Sequence, residues 1–131
     1  MKYIVVIVFL IISFCVFPAS VVSPDTDSIA LAAEGDSVTL IFTVNPPEAC
    51  QDAVWTLSLI EDKMTSWLVR RVKEKLADGV VYIELEPDGF LCVVRAKQYF
   101  KYGIKYKTYW RLTATSVADN NFSATCDITL G

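Results

Sequence analysis

Histidine is absent from this 131-residue chain. That absence excludes serine and cysteine nucleophiles activated by an imidazole, and every metal site that needs an imidazole ligand. Cysteine is scarce: Cys15, Cys50, Cys92 and Cys126 are scattered, without the C-x-x-C spacing that builds a structural zinc site. Positive charge is in deficit, with twelve Lys/Arg against fifteen Asp/Glu and a net charge of −3. That balance argues against a general nucleic-acid binder. Internal repeats and low-complexity segments are lacking, and only one long apolar run occurs.

That run lies at the start. Lys2 is followed by apolar Ile4 to Val16, then Phe17-Pro18 and the small residues Ala19 and Ser20. One cation, a short apolar stretch and a small-residue exit describe a secretory signal peptide over residues 1–20. As a helix the run spans only about 20 Å, short for a bilayer core of ~30 Å. An uncleaved anchor is the alternative, and bulky Phe14 before Cys15 argues against a lipoprotein. The expectation is a secreted or extracellular chain with one domain over residues 21–131. A membrane would then be reached only through a parent protein. In an oxidising compartment Cys50, Cys92 and Cys126 predict one disulfide and one odd thiol.

Strand signals recur along the remainder, divided by turn residues. Ile29 to Ala33 reads as a short strand closed by Glu34-Gly35-Asp36. From Ser37 to Val44, Val38, Leu40, Phe42 and Val44 alternate with polar or outward positions, the pattern of a half-buried antiparallel strand. Ala53 to Ile60 repeats it with Ala53, Trp55, Leu57 and Leu59. VVYIELE and FLCVVR flank Glu86-Pro87-Asp88-Gly89, which reads as a hairpin turn. Residues 105–117 form a long strand, and FSATCDITL closes the chain with Phe122, Ala124, Cys126, Ile128 and Leu130 inward. The segment MTSWLVRRVKEKLADG fits two periods. Met64, Trp67, Leu68, Val72 and Leu76 recur at helical spacing, with Thr65 or Ser66 and Gly79 as end signals. The expectation is a strand from about Ser66 to Val72 leading into a polar loop, with one helical turn near Lys73 to Leu76 as the alternative. About seven short strands in a domain of this size predict an immunoglobulin-like β-sandwich of two antiparallel sheets with Greek-key connections.

FKYGIKYKTYWRLTA, residues 100–114, is rich in both aromatic and basic residues. Alternation divides it. Tyr106, Thr108, Trp110, Leu112 and Ala114 fall on one face, while Lys105, Lys107, Tyr109 and Arg111 fall on the other. The cations put the second face in water and the first in the core. With Lys101 and Tyr102 beside it, the basic row is a candidate surface for an acidic glycan or a protein partner. The spacing Phe100-x-x-Gly103-x-x-Tyr106 predicts a tyrosine corner, in which the phenol turns back to the upstream backbone and locks a crossover.

These residues carry a resemblance. The F-x-x-G-x-x-Y spacing before a Trp-containing strand resembles fibronectin type III and polycystic-kidney-disease (PKD) modules. With a cysteine just before a Trp strand, CQDAVWTL, it is similar to the receptor-for-egg-jelly module of polycystin-like ectodomains. The PKD signature W-D-F-G-D-G is missing after Trp55, and no D-x-G-x-Y-x-C of antibody domains is present. The resemblance implies a non-enzymatic extracellular recognition or structural module, part of a larger cell-surface protein. An independent secreted binding protein, immunoglobulin-like or lectin-like, is the alternative.

Other candidates are weaker. Glu84 and Glu86 share a strand face but lack the cleft that glycosidase chemistry requires. Asp25, Asp27, Asp36 and Asp52 have no calcium-loop spacing. No catalytic residue, metal or cofactor is therefore expected. Asn121-Phe122-Ser123 is the one glycosylation sequon. Cys92 and Cys126 both alternate with apolar neighbours and point inward from strands expected in opposite sheets. They are the candidate disulfide, with Cys50 as the competing partner, and the spacing of packed sheets opposes a bridge unless the strands converge.

Overall fold

In a computed structural model of the chain, residues 21–24, 26–45, 51–97, 106–117 and 122–131 are described. Among these residues eight strands arise in order: β1 (Val21–Pro24), β2 (Ser28–Leu31), β3 (Ser37–Asn45), β4 (Ala53–Leu59), β5 (Ile83–Asp88), β6 (Leu91–Ala96), β7 (Thr108–Ser116) and β8 (Ser123–Leu130). They form two four-stranded sheets, ordered β1-β3-β6-β5 and β2-β8-β7-β4. With β1 and β2 as the two halves of a divided first strand, this is the strand order of an immunoglobulin-like sandwich. One pairing departs from the antiparallel expectation: β2 runs parallel to β8, from Ser28 opposite Asp127 to Leu31 opposite Leu130.

The alternation expected from sequence sets the core. Leu40, Phe42 and Val44 of β3 and Phe90, Cys92, Val94 and Ala96 at β6 face inward from one sheet. Trp110, Leu112 and Ala114 of β7 and Cys126, Ile128 and Leu130 of β8 meet them from the other. Trp55 packs edge-on against Phe42, ring centroids 5.0 Å apart, and its indole Nε1 donates to the Gly89 carbonyl at 2.8 Å. That bond ties β4 to the hairpin of the opposite sheet. Trp110 donates through Nε1 to Thr108 Oγ1 at 2.8 Å, which satisfies two polar groups inside the core.

The segment 64–79 is not a strand. Ser66–Ala77 forms helix α1, with Thr65 as N-cap accepting from the Leu68 N–H at 3.4 Å. Gly79, at φ +88, lies just past its end, where a left-handed residue commonly closes a helix. Leu68, Val69 and Val72 supply the buried stripe. A strand would instead have put Arg71 on the same face as Trp67 and Val69, a buried cation that the helix avoids. A 3₁₀ turn at Glu61–Lys63 leads from β4 into α1.

The hairpin turn lies two residues later than its proline suggests. Asp88 pairs with Leu91, so Gly89 and Phe90 form a two-residue turn. Gly89 has φ +59, and a Cβ there would lie 2.7 Å from the Gln51 carbonyl oxygen. A glycine first in such a turn matches the right-handed twist of the strands. Pro87 belongs to β5, opposite Cys92, on a sheet edge where its missing N–H costs no ladder bond.

The candidate Cys92–Cys126 disulfide is not formed, and both residues are buried as thiols. Each Sγ instead lies near a neighbouring carbonyl, Val93 O at 3.7 Å and Asp127 O at 3.8 Å. The two strands sit in different sheets, whose ~10 Å separation exceeds a disulfide's reach. Burial pushes the Cys92 thiol up from 9.0 to about 11. Cys50 lies outside the described residues.

Candidate functional face

The outward side of the β2-β8-β7-β4 sheet carries what remains of the basic row. Tyr109 is half-buried, while Lys107 and Arg111 are exposed. Lys101, Tyr102 and Lys105 lie outside the described residues, as do Phe100, Gly103 and the sequon residue Asn121. Tyr106, the remaining member of the expected tyrosine corner, is half-buried just before β7. Its ring meets Trp67 of α1 edge-on at 5.5 Å between centroids.

The structure adds partners that alternation along one strand could not reveal. Arg111 stands opposite Asp127 of β8 in the ladder. Its Nε donates to Oδ1 at 3.0 Å and a terminal nitrogen to Oδ2 at 3.5 Å. The hydrogen bond and the charge of Asp127 hold the Arg111 proton more tightly than usual. Lys63, from the 3₁₀ turn, approaches the same carboxylate at 3.8 Å and lies 5.8 Å from the centre of the Tyr109 ring. The cluster Lys63–Tyr109–Arg111–Asp127 therefore holds two cations around one carboxylate, beside one aromatic ring. A net positive centre with an accessible ring fits an anionic group carried on a flat or cyclic scaffold.

Around this cluster the face is hydroxylated. Register places Thr56, Thr113 and Thr125 in one row across β4, β7 and β8. Ser58 continues the row that holds Arg111 and Asp127.

The carboxylates of the hairpin are engaged elsewhere. Arg95 donates to Glu84 and to Glu86, each at 2.9 Å, and Lys97 lies 3.6 Å from Glu84. Glu84 and Glu86 thus clasp a cation on the outside of their sheet, with no cleft between them. Among the described residues, no group of three or more His, Cys, Asp or Glu is arranged to hold a metal ion. Nor is any helix there long and apolar enough to cross a membrane.

No family model matches the chain, and no curated protein matches it. Among solved structures it is similar to the titin M3 domain, at 17% identity and a TM-score of 0.44, over 83% of this chain and 93% of that one. The strand order and the register describe an immunoglobulin-like sandwich, and nothing finer.

Proposed function

We propose that this chain is a non-enzymatic extracellular recognition or structural module, the N-terminal part of a larger cell-surface protein. Its contact surface is the outward face of the β2-β8-β7-β4 sheet, and its ligand is an acidic glycan or an acidic segment of an extracellular protein. The observation that carries this reading is the Lys63–Tyr109–Arg111–Asp127 cluster, two cations sharing one carboxylate next to an aromatic ring. Exposed Lys107 extends the positive side. The leader-like residues 1–20 support the compartment, and the Cys50, Trp55 and Tyr106 spacing supports the finer likeness to receptor-for-egg-jelly modules.

Retention on immobilised sulfated polysaccharide, measured against salt, tests the surface. Lys63→Ala and Lys107→Ala should each lower the salt needed for elution, because each removes a counter-charge. Asp127→Asn should raise it, since it leaves two cations uncompensated. No retention at low salt, or retention indifferent to all three changes, contradicts the reading. The compartment is tested separately by N-terminal sequencing of secreted protein. A start near Val21 is expected, and an intact Met1 in a membrane fraction contradicts it.

A further inference from the structure

The open edge of the β2-β8-β7-β4 sheet has a self-complementary pattern. Among the described residues β4 ends that sheet, and its only strand partner is β7. Its backbone bonds can be assigned by position. The Ile60 N–H donates to the Tyr109 carbonyl and the Val117 N–H to the Asp52 carbonyl. In an antiparallel ladder such pairs alternate, so Val54, Thr56 and Ser58 also turn their N–H and C=O toward β7. Ala53, Trp55, Leu57 and Leu59 therefore turn theirs to the open edge. The same four residues supply the inward row of β4, and all four remain half-buried where the inward row of β7 is buried.

Natural edge strands are commonly blunted by charge, proline or shortness. On the other sheet, β5 has Glu84, Glu86, Pro87 and Asp88. β1 includes Pro24, and β1 and β2 are four residues each. β4 is seven residues long, AVWTLSL, with neither charge nor proline.

We propose that β4 pairs with β4 of a second copy of this chain, antiparallel and centred on Thr56. The register argues for a copy of the same strand. About a two-fold axis at Thr56, Ala53 faces Leu59 of the other copy and Trp55 faces its Leu57, apolar against apolar. Every residue with edge-facing backbone groups meets another such residue, giving about eight new hydrogen bonds. Val54 faces Ser58, and Thr56 faces Thr56 as the non-hydrogen-bonded central pair. No charges are opposed, and inward rows stay inward. The two sheets become one of eight strands. A contact of one strand per partner is small, so the dimer is a transient one with a Kd in roughly the micromolar range.

Sedimentation equilibrium of protein expressed from the full sequence, from about 1 to about 500 µM, tests this. A reversible dimer is expected. Thr56 is exposed and faces outward, so Thr56→Lys leaves the monomer fold intact, a point checked by its melting curve. It opposes two like charges at the axis and should weaken the dimer about tenfold or more. Thr56→Asp should do the same, while an equimolar mixture of the two variants should restore association. A wild-type protein monomeric throughout overturns the proposal. So does a dimer that neither variant weakens, or two variants that fail to rescue each other.

Discussion

Leu57 and Leu112 are the same residue in the same ladder row, directly opposite one another on β4 and β7, yet they occupy different environments. Leu112 is 0% exposed; Leu57 is half-buried. Both point inward, so alternation alone cannot tell them apart. What separates them is the number of neighbouring strands. Among the described strands, β7 lies between β4 and β8, and β4 has β7 alone. Inward-facing and fully buried are therefore two properties, the first local in sequence and the second a consequence of sheet order.

The largest effect expected in the central strand is at Trp110. Trp110→Ala should cost about 3 to 5 kcal/mol, the usual range for deleting a large core aromatic. Denaturant melts check this, and a near-neutral result would place Trp110 on the wrong face. The leucine pair sharpens the comparison. Leu112→Ala should cost about 3 to 4 kcal/mol and Leu57→Ala about 1 to 2, because solvent can occupy part of the space at the edge. Equal costs would mean that something covers β4 in the monomer.

Thr108→Val tests a polar detail of the same central strand. It keeps the volume but removes the acceptor 2.8 Å from the buried Trp110 indole nitrogen. The orphaned N–H should cost about 1 to 2 kcal/mol, and no change in the melt would show that the indole finds another acceptor. A further effect appears with pH. Cys92 on β6 has its thiol pKa raised from 9.0 to about 11 by burial, so the folded state favours the neutral form. Its contribution is complete below pH 9, shrinks as pH rises toward 11, and is lost above it. Cys92→Ala should flatten the stability profile between those values, measured relative to wild type. An unchanged slope would remove Cys92 as its source.

Much of the sandwich was legible because period two recurs in β3, β6, β7 and β8 with few interruptions. Helix α1 was not, because Met64, Trp67, Leu68, Val72 and Leu76 fit a helix while the all-β surroundings favoured a strand. The signals at Thr65 and Gly79 were the deciding ones, and both were visible. The hairpin was displaced because Pro87 has the residue type of a turn but stands on an edge strand that tolerates it. The parallel β2–β8 pair has no local signature. At the candidate face, Lys107, Tyr109 and Arg111 were readable as an outward row, but Asp127 and Lys63 were not readable as their partners. Those contacts follow from long-range register between β7 and β8, and from a turn that follows β4.

Backbone amide exchange, followed residue by residue in monomeric Thr56→Lys protein, tests the difference between edge and centre most directly. The sheet order predicts slow exchange throughout β7, whose odd-numbered amides bond to β4 and even-numbered ones to β8. In β4, Val54, Thr56-position and Ser58 amides should be slow, while those of Trp55, Leu57 and Leu59 should be fast. Uniform protection along β4, equal to that of β7, would contradict the account, because another segment would then be paired along the edge assigned here as open.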